Sequence, residues 1–221
     1  MTGVVVATHG ERPLLRGTLH QAGFAVALVV GGLLVAYADE GARARTAAAI
    51  FAGSVVAMMG ASALYHRVIW SPRVRPWMRR VDHTGIFVLI AGTYTAVGLL
   101  SLRGTMQHVV LAVVWTGAGA AVLLKFAWVE APKWLAAVIG IALGWVGVVA
   151  VPQVAHNAGV AAVVLLGAGG IAYTVGGIVY ALRRPDPVPA IFGYHEVFHA
   201  LTIVAVACQY VAIAFFVLRV G

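Results

Sequence analysis

Residues 193–218 read GYHEVFHALTIVAVACQYVAIAFFVL, and this stretch decides the fold. From Ala200 to Leu218 it is nearly all apolar and close to the length, about 20 residues, that a helix needs to cross a bilayer. Two histidines, His195 and His199, open this helix four residues apart, a spacing that returns both rings to nearly the same face. Ionisable groups at the start of a membrane span are costly and usually functional. The stretch therefore predicts a transmembrane helix with a pair of imidazoles at one end, suited to a metal ion or to hydrogen-bonded packing.

The composition of the whole chain agrees with this interpretation. Of its 221 residues, 62% are hydrophobic and only 10% are charged, which lies outside the range of soluble domains. The net charge of +8 does not indicate a nucleic-acid partner, because the charges lie between apolar runs and so report membrane topology. The single cysteine, Cys208, excludes a disulfide within the chain. We expect an all-α, polytopic membrane protein.

Polar residues divide the apolar sequence into seven predicted spans. A short amino-terminal arm, residues 1–17, precedes a single seven-transmembrane-helix domain, residues 18–221. The connections between the spans are too short to hold a soluble domain. The predicted spans are residues 18–37, 47–70, 83–102, 107–128, 133–152, 158–182 and 192–218.

The distribution of lysine and arginine predicts the orientation of these spans. Eleven of the fifteen basic residues fall on the side of the amino terminus, and the other four fall on the opposite side. Basic residues are enriched in cytoplasmic loops. The amino terminus is therefore predicted to be cytoplasmic, and the carboxyl terminus is predicted to lie outside.

Further polar residues are predicted to lie at the membrane level of the histidine pair. Ser62 and His66 are four residues apart at the end of the second span, and Asp82 precedes the third. Both ends are on the predicted cytoplasmic side, as is the start of the seventh span with His195 and His199. Three imidazoles with an open fourth position form a catalytic zinc site, in which Asp82 can hold or deprotonate a water molecule and Ser62 can hydrogen-bond the water or a substrate carbonyl. The alternative is a buried polar network that only ties the helices together.

A different metal chemistry fits the same histidine pair. His195-Glu196-x-x-His199 satisfies the zinc-protease pattern, in which Glu196 is the general base. Such an enzyme needs a third ligand, usually an aspartate in a later helix, and no span follows. Asp82 and Asp186 are the other acids near that level, and Asp186 lies in a loop between prolines. We therefore interpret Glu196 as an acid of the first helical turn, where the helix dipole favours it.

The other histidines are weaker candidates for the site. His83 points about 100° away from Asp82 on a helix, so we expect it to face a neighbouring helix or the interface rather than the metal. His20 lies at the entrance of the first span and is expected to support the site through its ligands. The histidines predicted to be ordinary boundary or loop residues are His9, His108 and His156.

Together these motifs resemble the haemolysin III proteins. That family comprises bacterial relatives of the progestin and adipoQ receptors, which belong with the alkaline ceramidases in one superfamily of seven-helix membrane proteins. The resemblance covers nearly the whole chain. The segments that carry it are Arg16-Gly17-x-x-His20, Ser62-x-x-x-His66, Asp82-His83-Thr84-Gly85-Ile86-Phe87 with Ala91-Gly92-Thr93-Tyr94-Thr95, and His195-x-x-x-His199.

The resemblance implies a Zn²⁺ ion held by His66, His195 and His199, with Asp82 and Ser62 arranged around its water. It further implies a ceramidase-like hydrolase of a lipid amide in the bacterial plasma membrane, with membrane lipids as its partners. The alternatives are a membrane receptor without enzymatic activity and a cytolytic protein, each with a structural zinc. Against a lytic pore, the helices carry no obvious polar stripe to line an aqueous channel.

Overall fold

The apolar runs of the chain form helices that leave few backbone groups unpaired, as a bilayer requires. The structure is a computed structural model that describes residues 13–38 and 41–219. Within those ranges seven spans are long and apolar enough to cross a membrane. They are α1 (Thr18–Ala36), α2 (Ala42–Arg67), α3 (Arg75–Ser101), α4 (Gly104–Ala127), a fifth span (Lys133–Ala158), α7 (Val160–Leu182) and a seventh span (Tyr194–Val217).

Two of the spans are interrupted helices. The fifth span consists of α5 (Lys133–Trp145), a 3₁₀ segment (Val146–Ala150) and α6 (Val151–Ala158), and Pro152 lies in the first turn of α6, where its missing N–H breaks no helical hydrogen bond. The seventh consists of α8 (Tyr194–Ala212) and a π-helical segment (Ile213–Val217). All seven predicted spans are therefore present, and the all-α fold is confirmed for the described residues.

Several predicted helix ends are wrong. The second span begins at Ala42 and ends at Arg67, not at 47 and 70, and the third begins at Arg75, not at 83. Hydropathy marks the apolar run, whereas the helix of the third span starts two turns earlier in polar sequence, with Pro76 in its first turn. The fifth span also runs to Ala158 rather than to 152, because the chain turns only at Gly159, whose φ of 85° favours glycine.

Helix α3 lies at the centre of the bundle. It packs against α2, α4, both helices of the fifth span and the π-helical segment, and it is the most deeply buried of the spans. Large apolar side chains such as Val29, Leu123 and Val164 point outward from the peripheral helices, as lipid-facing residues do.

A short loop and a pair of backbone hydrogen bonds bring the ends of four helices together in two pairs. Only seven residues, 68–74, separate α2 from α3, so the end of α2 lies near the start of α3. In addition, the backbone N–H groups of Leu14 and Leu15 donate to the carbonyls of Ala190 and Ile191 at 3.0 and 3.1 Å. The segment before α1 is thereby joined to the loop before α8, and the starts of these two helices lie side by side. Residues 1–12 of the predicted amino-terminal arm, including His9, lie outside the described residues.

Candidate metal centre

The three predicted ligands come from the end of one helix and the start of another. His66 lies in the last turn of α2, and His195 and His199 lie in the first two turns of α8. One side-chain nitrogen of each ring can be chosen so that the three atoms all lie within 4.8 Å of one another. His195 and His199 are buried, and the His66 side chain is 8% exposed. The structure thus brings together the three imidazoles that the sequence predicted to lie at one membrane level.

The spacing of one pair of these nitrogens suits a tetrahedral ion. Zn–N bonds of about 2.0–2.1 Å place two ligand nitrogens about 3.3–3.4 Å apart. The Nε2 atoms of His66 and His195 are 3.1 Å apart. Two imidazoles alone can share a hydrogen bond at that distance, but the convergence of a third ring is typical of metal ligation. The donor set therefore fits a metal ion.

A carboxylate and a hydroxyl lie against the cluster. Asp82 Oδ2 is 3.7 Å from His66 Nε2. Ser62, one turn before His66 on α2, hydrogen-bonds Asp82 and is itself buried. Because α3 begins at Arg75, Asp82 lies two turns inside the helix and not at its first residue, which places the carboxylate at the depth of His66. Asp82 thus lies beside the cluster without being a member of it.

Glu196 has other partners. It is fully buried, its Oε2 accepts the backbone N–H of Gly193 at 2.9 Å, and its Oε1 lies 2.7 Å from Arg16 Nε. This is a helix cap combined with an ion pair to the start of α1. The carboxylate of Asp186 accepts the backbone N–H of Tyr194 at 2.7 Å and so also caps α8. Neither acid belongs to the histidine cluster, and the protease geometry in which Glu196 serves as base is not formed.

The start of α1 contributes more to the centre than its sequence indicates. The ring of His20 stacks on that of His199 with centroids 3.8 Å apart and an angle of 16° between the planes. Gly17, at φ 80°, packs so closely on α2 that an added Cβ would lie 2.5 Å from His66 Cβ. Arg16 precedes α1 and His20 lies in its first turn, and no local spacing indicates their partners, Glu196 and His199, which are about 180 residues away in the chain.

His83 is not part of the cluster, in agreement with its predicted direction. It lines the same cavity as Asp82.

An aromatic group around His195 was not predicted. Tyr180 and Tyr194 contact the His195 ring with centroids 5.8 and 6.1 Å apart. Lys133 Nζ donates to the Tyr194 hydroxyl at 2.5 Å and lies over both tyrosine rings. His195 is therefore in contact with aromatic residues of α7 and α8 as well as with His66 of α2.

A cavity of about 280 Å³ extends from the cluster into the bundle. Ser62, Asp82, His195 and His199 line it together with mostly apolar side chains of α3, the fifth span and α7. Further along, Thr93 donates a hydrogen bond to Gln209 Oε1 at 3.1 Å. The volume of the cavity is near the lower end of the range for small-molecule sites, about 300–1,000 Å³.

Comparison with known proteins agrees with the motifs. A family model described as haemolysin-III related matches residues 8–210. The chain is similar to a hemolysin-3 homolog of Bacillus subtilis (strain 168), at 29% identity over 171 residues that cover 77% of each protein. It is also similar to hemolysin-3 of Bacillus cereus, at 32% identity over 157 residues that cover 71% of this chain and 68% of that protein. The resemblance inferred from the motifs is confirmed, and the chain belongs to the haemolysin-III-related family of multi-pass membrane proteins.

Proposed function

We propose that this protein is a zinc-dependent hydrolase of a lipid amide in the bacterial plasma membrane, with its site near the cytoplasmic face. The observation that carries the proposal is the convergence of three imidazoles beside the Asp82–Ser62 pair, at one end of an apolar cavity inside a membrane-spanning bundle. A bundle that needed only packing would not be expected to gather this many polar side chains.

The donor set supports zinc over the hard cations. Magnesium and calcium take oxygen ligands, whereas three neutral imidazoles are a common catalytic zinc set. When bound, zinc would supply Lewis acidity, which polarises a carbonyl oxygen and activates water. The residues that would hold it are His66, His195 and His199.

The chain's own groups supply the proton transfers. Amide hydrolysis adds water across the C–N bond: a C–O bond forms, the C–N bond breaks, and the amine leaves with an added proton. In the proposed reaction Asp82 accepts a proton from the attacking water and returns it to the leaving nitrogen. Ser62 hydrogen-bonds Asp82 and so holds the carboxylate in a fixed orientation. The apolar walls bind the hydrocarbon part of the substrate and exclude bulk water.

The surroundings of the cavity favour a lipid as the substrate. The cavity lies between helices that face hydrocarbon, so membrane lipids are the nearest source of ligands. Amide-linked acyl chains combine an apolar body with the carbonyl that the proposed chemistry requires.

The names of the two relatives suggest lysis of blood cells as a second function. An aqueous pore needs a polar lining, and the side chains around this cavity are mostly apolar. The cavity therefore supports the hydrolase better than the pore.

Lipid analysis tests the proposal. Host membranes that contain the wild type should accumulate a free fatty acid together with the matching amine, and membranes with His195→Ala should not. His156→Ala, which removes an imidazole outside the cluster, serves as the control and should match the wild type. Equal lipid profiles for the wild type and His195→Ala would contradict the hydrolase. Lysis of erythrocytes by both of these proteins would favour the cytolytic function instead.

A further inference from the structure

We propose that His20 binds the oxygen of the ligand held at the metal centre, and is thus a ligand-binding residue rather than a packing residue. The inference rests on the proposed metal centre and adds a hydrogen-bond donor to it.

The first support is the unsatisfied state of the His20 ring. His20 is 2% exposed, and neither of its ring nitrogens makes a hydrogen bond to the described residues. The backbone of His199 lies near the ring but not in hydrogen-bonding geometry. Buried polar atoms without partners are unfavourable, and those that persist in a native protein require an explanation. A packing role alone would be filled better by a leucine or a phenylalanine.

The second support is the position of the ring. Because it lies nearly parallel to His199 at 3.8 Å, one face is covered and the nitrogens are left at the ring edge. His20 also lines the cavity that contains Ser62, Asp82 and the His195–His199 pair. His20 is not a member of the three-imidazole cluster, so it is next to a ligand residue without being one.

The third support is that the segment which carries His20 is fixed in place. Arg16 pairs with Glu196, and Gly17 packs on His66. The ring is therefore held against the centre from its own helix, as a preorganised binding group must be.

The chemistry of the ring defines the class of ligand. A neutral imidazole offers one N–H donor and one acceptor nitrogen. Asp82 and Ser62 line the cavity near His66, whereas His20 stacks on His199. A ligand with an acceptor oxygen, a carbonyl or a carboxylate, would complete the His20 donor. For an amide substrate this oxygen is the acyl carbonyl, and for the product it is the carboxylate.

Acetate binding to the cobalt-loaded protein tests the assignment. Cobalt(II) in the centre gives visible absorption that changes when a ligand occupies the open position. His20→Phe keeps a stacked ring and removes both nitrogens, so it should retain cobalt affinity and lower acetate affinity by about ten- to a hundredfold, the effect of losing one hydrogen bond to a charged group. His20→Asn keeps a short side chain with an N–H donor and should recover part of the loss.

The matched control is His156→Phe, which removes an exposed imidazole outside both the cavity and the cluster and should change neither affinity. If His20→Phe does not fold, His20→Leu compared with His20→Asn gives the same test at nearly equal size. Unchanged acetate affinity in His20→Phe, or in His20→Leu, overturns the inference, as does a loss of cobalt in the variant that equals its loss of acetate. A wild type that binds no cobalt removes the proposed metal centre itself, and with it the basis of the inference.

Discussion

At the residue scale, Asp82 is the group whose role is most directly testable. Its carboxylate lies 3.7 Å from His66 Nε2 and is hydrogen-bonded by Ser62. We expect Asp82→Asn to weaken zinc binding by about ten- to a hundredfold without abolishing it, because a partner that orients ligands contributes that much. Competition with a chromogenic chelator measures the affinity. The control Glu130→Gln removes a carboxylate at the surface and should bind zinc as tightly as the wild type does. If Asp82→Asn also binds zinc as tightly as the wild type, Asp82 does not contribute to metal binding.

Glu196 distinguishes the proposed centre from the protease. Its substitution by glutamine removes the ion pair with Arg16 but keeps an oxygen for the Gly193 N–H. We expect Glu196→Gln to lower stability by about 1–3 kcal/mol, since the partly exposed Arg16 loses its partner, and to leave the zinc content unchanged. Thermal unfolding and metal analysis of the same sample measure both effects. Loss of zinc or of lipid turnover with unchanged stability would instead favour Glu196 as a catalytic base.

The predictability of the site also divides at this scale. The two rings of α8, and His66 with Ser62, could be predicted because four-residue spacing on a helix defines a shared face. The cap formed by Glu196 and its pairing with Arg16 could not, because they depend on how the loop before α8 meets the segment before α1.

At the scale of elements, the start of α1 packs against the end of α2 and the start of α8. Gly17 is the contact that sets its distance from α2, since a Cβ there would lie 2.5 Å from His66 Cβ and the φ of 80° disfavours any other residue. Gly17→Ala should therefore displace His66 or the start of α1, lowering stability by about 1–2 kcal/mol or more and weakening zinc binding.

Gly32→Ala is the control for Gly17→Ala. Gly32 lies within α1, which Gly17 precedes, and nothing lies within 4 Å of its would-be Cβ, so alanine there should be neutral or slightly stabilising. Melting temperature and chelator competition should separate the two variants. Gly17→Ala with the melting curve and zinc affinity of Gly32→Ala would show that α1 does not position His66.

At the scale of the whole molecule, the fold was predictable because every span carries its own apolar signal, long enough to count. The starts of α2 and α3 were not predictable, because these helices begin in polar sequence, which a search for apolar runs does not detect. The cavity and the central place of α3 depend on packing among distant spans, which no local pattern encodes. The cytoplasmic amino terminus, inferred from basic residues, stays a prediction.

The central claim, one zinc ion held by three histidines of α2 and α8, is tested most directly by metal analysis of protein purified in detergent without a polyhistidine tag. We predict about one equivalent of zinc in the wild type, almost none in His195→Ala/His199→Ala, and an unchanged content in His108→Ala/His156→Ala, which removes two imidazoles outside the cluster. Zinc in His195→Ala/His199→Ala at the wild-type level, or a wild type without metal, would contradict the account.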